Sequence, residues 1–194
     1  MRVKKTCALL PMTIQAPRIY VVNGNTKDSI EREERLDDLL GKQYNLNYEF
    51  VTESAHANEN EKKFEDFFVT DVQSVLSKSS LYCALIHFLS YERFLKTNYP
   101  YAIVFENDVF FLGKFDKDIQ PVLKEAETLQ SGFIISLENS TLNFPSWRIT
   151  HKDKHLYEAH AGRCAGAYII DRKAAEFILN DLKNNKCSLP IDWW

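Results

Sequence analysis

The chain has 194 residues, enough for one domain with a sizeable core, and 45% of them are apolar or aromatic. Its 24 Lys and Arg against 27 Asp and Glu leave a formal net charge of -3, which offers no basic field for sequence-independent nucleic-acid binding. Four cysteines, Cys7, Cys83, Cys164 and Cys187, stand far apart without CxxC pairs, so they read as buried thiols in a reducing compartment and indicate neither a zinc site nor a disulfide framework.

No run approaches the ~20 apolar residues that span a bilayer. Residues 1–18 have a basic start and a short apolar part interrupted by Pro11. They read as a cytoplasmic N-terminal arm, with a weak membrane-surface contact as the alternative.

In chain order, Ile19-Tyr-Val-Val22 is a short apolar strand ending at the turn signal Asn23-Gly24-Asn25. Asp28 and Ser29 open a charged helix with Ile30, Leu36, Leu39 and Leu40 on its apolar side and Gly41 near its end. A second strand follows at Tyr48-Glu-Phe-Val51. Residues 53–80 are polar and read as a loop with short helical pieces. The spacing of Ala84, His87, Phe88, Tyr91 and Leu95 predicts a helix over 81–96, stopped by Tyr99-Pro100.

Tyr101-Ala-Ile-Val-Phe105 is the most apolar strand, and it runs straight into Glu106-Asn107-Asp108. Burying two carboxylates in mid-strand carries a large desolvation cost, so Glu106 and Asp108 belong at the strand's carboxyl end, facing a crevice. Two carboxylates one residue apart suit a hard divalent cation; ordinary turn chemistry accounts for the same tripeptide equally well.

Beyond Gly113, the residues Ile119, Val122, Leu123, Ala126 and Leu129 mark another helix, and Gly132 leads into a buried strand over 133–137 that again ends in an acid, Glu138. Residues 139–162 read as a loop carrying Pro145, Trp147, His151, His155 and His160, with no i,i+4 histidine pair to bind zinc. A strand over 165–170 and a helix over 172–180 follow.

The alternation of strands and helices predicts an α/β fold, a mostly parallel sheet covered on both faces, with ligands outside the carboxyl ends of the strands. Asn23, Glu106 to Asp108 and Glu138 fall there. Asn23-Gly-Asn-Thr-Lys27 lacks the glycines of a dinucleotide or P-loop signature.

Six blocks then carry a resemblance. Ile19-Tyr-Val-Val-Asn23 with Ser29-Ile-Glu-Arg32, Cys83-Ala-Leu-Ile-His87, Ile103-Val-Phe-Glu-Asn-Asp-Val109, Phe133-Ile-Ile-Ser-Leu-Glu138, Gly166-Ala-Tyr-Ile-Ile-Asp-Arg-Lys-Ala174 and Leu189-Pro-Ile-Asp192 stand in the order found in glycosyltransferase family 25. From about residue 19 to 194 the sequence resembles that family, which includes bacterial lipooligosaccharide galactosyltransferases. The resemblance implies a GT-A-like, Rossmann-type three-layer sandwich. It also implies a UDP-sugar donor, UDP-galactose foremost, and inverting transfer to a lipopolysaccharide hydroxyl at the cytoplasmic face of the inner membrane. Val22, Asn23, Arg32, His87 and Glu106 are thereby implied on the donor side, and Glu106 and Asp108 as ligands of Mn²⁺ or Mg²⁺.

An inverting transfer needs a base for the acceptor hydroxyl, and Asp192 and Glu138 are the candidates; Asp192 is favoured because it follows Pro190 and matches the family's Pro-x-Asp block, with a helix N-cap aspartate as the plain alternative. His87 reads equally as a satisfied core histidine, Arg32 as one charge of a solvated helix face, and Trp147 as a platform for a sugar ring in an acceptor-side lid. The sequence departs from the family's usual residues at Asn107 (Asp), Gly24 (Leu), Ile86 (Ser) and Ser80 (Glu), and about two extra residues separate the first strand from Arg32. Relatives continue past the Pro-x-Asp block, so the resemblance implies that the family's C-terminal part is missing after Trp194. Two other classes stay open. One is a degenerate member that binds nucleotide or a partner without transfer. The other is a metal-dependent nucleotidyltransferase, which normally needs a glycine-rich basic loop not present here.

Overall fold

The computed structural model describes residues 17–24, 28–53, 57–138, 144–159 and 164–191, with the backbone alone at 57 and 58. Most of the N-terminal arm, His160, Asp192 and the two C-terminal tryptophans therefore lie outside the described residues. The elements are β1 (Arg18–Val22), α1 (Ser29–Leu36) running on as a π-helical turn (Asp37–Gln43), β2 (Tyr48–Val51), α2 (Ala57–Phe67), α3 (Lys78–Leu95), β3 (Tyr101–Glu106), α4 (Phe115–Ala126), β4 (Ile134–Ser136), β5 (Ala167–Asp171) and α5 (Arg172–Asn184).

The sheet order is β2-β1-β3-β5-β4. β1 pairs in parallel with β2 and β3, whereas β5 lies antiparallel between β3 and β4. The sheet is thus mixed, and the expectation of a mostly parallel one is corrected on β5. That strand enters from the long segment after Glu138 and is inserted against the direction of both its neighbours. Strand direction is set by such connections and is not encoded in local apolar spacing.

Side-chain alternation along the strands builds two apolar layers. Tyr20, Val22, Ala102, Val104, Tyr168 and Ile170 face α3 and α5, meeting Leu85, Phe88 and Phe94. Ile19, Val21, Ile103, Phe105 and Ile169 face the other way, onto Leu36 and Leu40 of the first helical segment and Ile119 and Leu123 of α4. Each such fully buried side chain contributes roughly 1.5–3 kcal/mol. Helices therefore cover both faces, as expected.

Several expectations shift. The polar stretch 53–80 holds the whole of α2 and a 3₁₀ turn (Val72–Ser74), because Phe64, Phe67 and Phe68 suffice to anchor it against Tyr82 and Phe88. Ile30 is exposed despite its place in α1. β4 is an exposed edge strand and not a buried one, with Ile134 53% exposed. Of the cysteines described, only Cys187 is buried; Cys83 is half-buried and Cys164 exposed.

Two polar features fix the frame. Asp171 caps α5 by accepting from the Ala174 N–H at 2.8 Å, and it also accepts from Gly132 N–H at 2.7 Å. Gly132 itself adopts φ +103°, a left-handed conformation that glycine takes without strain. On the opposite side of the sheet, Glu49 of β2 receives Arg18 at 2.9 Å and Arg93 at 2.5 Å. Burial pushes the Glu49 carboxyl up, but the two guanidinium groups outweigh it and leave it below its ordinary 4.5. A depressed carboxyl stabilises the fold above its unfolded value and loses that contribution as pH falls through the folded one. With a third of the side chain exposed, solvent screening keeps the effect below about 1 kcal/mol. Glu49→Gln is therefore expected to lower urea stability slightly at pH 7 and to narrow its gap from wild type between pH 5 and 3; a gap constant across that window would contradict the assignment.

Candidate active site

Register brings the acidic strand tip beside the end of β1. Val22 pairs with Glu106, so Asn23 and Asn107 follow side by side. Because β5 runs antiparallel, its first residues lie at this same end, with Ala167 opposite Phe105. Glu106 N–H donates to Gly166 O at 2.7 Å, and Gly166 N–H donates to Glu138 Oε1 at 2.8 Å. The ends of β1, β3 and β4 thus meet the start of β5.

The three residues of the tip point in three directions. Strand alternation sends Glu106 to the same face as Ala102 and Val104, toward α3. There its Oε1 accepts from Cys83 Sγ at 3.6 Å and lies 3.5 Å from His87 Nε2. The imidazole is the largest influence on this carboxyl and, against the upward push of burial, holds it below its ordinary range. Asn107 turns to the α1 face and is buried. Its amide donates to Asn23 Oδ1 at 2.5 Å, and its Oδ1 accepts from Arg32 at 2.9 Å. Asn23 in turn donates to Glu33. Arg35 clamps the backbone that follows, donating to Asn107 O at 3.0 Å and Val109 O at 2.8 Å while lying over the Phe110 ring. Asp108 points out, its side chain 56% exposed and 3.9 Å from Arg32.

Behind Glu106 runs a buried polar chain. His87, with no exposed surface, has Nδ1 2.7 Å from the Tyr168 hydroxyl, which lies 2.6 Å from the Tyr91 hydroxyl. Burial pushes both phenols above their ordinary values, so the chain is composed of neutral hydroxyls. Nε2 of His87 is buried without a hydrogen-bond partner among the described residues.

Of the residues expected at the site, Asn23, Arg32, Glu106, Asp108 and Glu138 gather at this end of the sheet. Val22 does not take part through its side chain, which packs in the core toward α3. His87 is a core histidine and a neighbour of Glu106 at once. Asp192 lies outside the described residues. Sequence reasoning missed Cys83, Arg35, Tyr168 and Gly166. Cys83 and His87 are spaced i,i+4 on α3, a signal that a search for CxxC and paired histidines passes over.

Glu125 of α4 holds the loop over 144–159. Glu125 accepts from His155 N–H at 2.7 Å and Leu156 N–H at 2.9 Å, and it meets His155 Nδ1 at 2.6 Å. Trp147 stands 79% exposed on this loop, with Arg148 over its ring.

A family model described as "Glycosyltransferase family 25 (LPS biosynthesis protein)" matches residues 16–194. A protein of Haemophilus influenzae, provisionally named a glycosyltransferase, is 26% identical over 190 residues, which cover 95% of this chain and 64% of that protein. The chain thus spans less than two thirds of that relative's length.

Proposed function

The chain belongs to glycosyltransferase family 25, and on that premise we propose that it moves a sugar from a UDP-sugar to a hydroxyl of a growing lipopolysaccharide or lipooligosaccharide, with inversion. UDP-galactose is the favoured donor. A GT-A-like use of the sheet, with the donor outside the carboxyl ends of β1 and β3, belongs to the same reading. The observation that carries it is the meeting of Asn23, Arg32, Asp108 and Glu138 at one end of the sheet, around Gly166.

In this reading Arg32, a third exposed and oriented by Asn107, meets the diphosphate of the donor. Glu138 is the base. Its Oε1 is fixed by the Gly166 N–H, and Oε2 remains to take the proton of the acceptor hydroxyl. The acceptor oxygen attacks the anomeric carbon from the face opposite UDP; the bond from that carbon to the β-phosphate oxygen breaks, and the proton passes to Glu138. Trp147 offers a flat apolar surface to an acceptor sugar. Such an acceptor puts the enzyme at the cytoplasmic face of the inner membrane as a peripheral protein. Among the described residues no helix is long and apolar enough to cross a membrane.

The Mn²⁺ or Mg²⁺ implied by the family resemblance would require Glu106 and Asp108 to converge. Here they part. Glu106 Oε1 faces sulfur and nitrogen, and the Asn107 side-chain oxygen is taken by Arg32. Asp108 alone offers oxygen to the solvent side. A hard cation selects several oxygen ligands, which this trio does not supply together.

The reading is tested by titrating UDP, with and without Mn²⁺, into wild type, Arg32→Ala and Asp108→Ala, then measuring sugar release from UDP-galactose and UDP-glucose. Wild type is expected to bind UDP and release sugar slowly, with binding about tenfold weaker in Arg32→Ala, the equivalent of about 1.4 kcal/mol. Binding without release from either donor favours a member that holds nucleotide without transfer. Absence of UDP binding overturns the donor site. Mn²⁺-dependent binding lost in Asp108→Ala would restore a hard-cation role to that residue.

A further inference from the structure

We propose that Cys83, His87 and Glu106 form a three-ligand site for a borderline divalent cation, of which Zn²⁺ fits best. One donor atom from each lies within 4.8 Å of the others. Four observations point to a cation and not to chance proximity.

The first is geometric. A tetrahedral zinc ion with bonds of about 2.3 Å to sulfur, about 2.0–2.1 Å to imidazole and about 2.0–2.2 Å to carboxylate sets its ligand atoms roughly 3.4–3.6 Å apart. Two of the three separations match this, 3.5 Å from His87 Nε2 to Glu106 Oε1 and 3.6 Å from Cys83 Sγ to the same oxygen, and the third pair, Cys83 Sγ and His87 Nε2, lies within 4.8 Å. The second is the local fold. Cys83 and His87 are i,i+4 on α3 and so share the face turned to β3, where strand alternation delivers Glu106.

The third is the unpartnered nitrogen of the histidine. Nε2 is fully buried, lacks a hydrogen-bond partner among the described residues and lies 3.5 Å from the carboxylate oxygen. A proton or a metal ion must lie between those atoms, since a bare nitrogen lone pair facing a carboxylate oxygen is repulsive. The fourth is support from behind. Nδ1 is tied to the Tyr168 hydroxyl, itself tied to Tyr91, the arrangement by which metal-binding histidines have their ring and tautomer fixed.

Charge balance favours the loaded state. Without metal, the Glu106 carboxylate, held below its ordinary range, places a negative charge in a mostly buried site. Binding M²⁺ expels the Cys83 thiol proton to solvent and forms a metal–sulfur bond, so thiolate and carboxylate together neutralise the ion. Cys83 and Glu106 are partly exposed, so the fourth position opens on their side.

The test uses the full chain, stripped with a chelator and kept reduced, with Co²⁺ as the spectroscopic probe and Zn²⁺ as competitor. One Co²⁺ per chain is expected, with the intense visible bands of four-coordinate cobalt and a thiolate-to-cobalt charge-transfer band. Zn²⁺ should displace it with release of a proton. Cys83→Ser, a near-isosteric change at a half-buried position, should abolish the charge-transfer band and weaken Zn²⁺ at least tenfold, while Asp108→Ala leaves both unchanged. Because His87 is fully buried, His87→Gln is read only alongside its thermal midpoint. No stoichiometric Co²⁺, or cobalt bound without the charge-transfer band and indifferent to Cys83→Ser, overturns the site. Nucleotide sugar plays no part in the readout, so failure here is distinct from failure of the transferase reading.

Discussion

Glu138→Gln is expected to lower the turnover number for sugar transfer by about 10²–10⁴-fold, the span contributed by a positioned general base. The substitution isolates chemistry from structure. A glutamine keeps a carbonyl oxygen that accepts the Gly166 N–H, now made at 2.8 Å, so the end of β4 and the start of β5 stay joined. UDP affinity and thermal midpoint should be close to wild type, and the loss should fall on kcat. A second substitution reaches the same carboxylate from its other side. A Cβ placed on Gly166 would lie 3.0 Å from Glu138 Oε2 and 3.3 Å from Oε1. Gly166→Ala therefore has to displace the carboxylate, and it too should lower kcat. Turnover of Glu138→Gln within about tenfold of wild type would remove the residue from the chemistry and leave Asp192, the other candidate, as the base.

Much of this frame was legible because local pattern and tertiary demand coincide. Residues 101–105 are apolar without a break, and they become the central strand, buried on both faces. The helical spacing of Ala84, His87, Phe88 and Tyr91 is likewise the face that α3 turns to the sheet. The strand ends predicted from Asn23, Glu106 and Glu138 do meet. What could not be read depends on partners distant in sequence. Nothing near residue 167 says that β5 will run against β3. Ile30 sits in a helix but stays exposed, whereas Asn107, the most turn-like residue of the tip, is buried because Asn23 and Arg32 are there to satisfy it. The direction of Glu106 was within reach. Counting by twos along β3 from Ala102 already separates it from Asn107 and turns it toward α3.

Asn107→Leu is expected to cost roughly 1–3 kcal/mol of stability and to weaken UDP about tenfold, for two separable reasons. The buried amide of Asn107 supplies the hydrogen on Asn23 Oδ1; an apolar side chain of similar size fills the space and leaves that acceptor unmet in the interior, which accounts for the stability loss. Arg32 is treated differently by the same change. Its side chain is a third exposed, so water replaces the lost bond and little stability goes with it, but the guanidinium is no longer aimed. Asn107→Asp separates the two effects. A carboxylate still accepts from Arg32 but has no hydrogen for Asn23, so UDP affinity should recover toward wild type while urea stability remains reduced. Nor should Mn²⁺ or Mg²⁺ bind Asn107→Asp appreciably tighter than wild type, since the side chain at this position is directed at α1 and away from Asp108. Equal loss of UDP binding in the two variants would refute the aiming of Arg32, and a large gain in metal affinity in Asn107→Asp would show that the tip can gather its carboxylates around a hard ion after all.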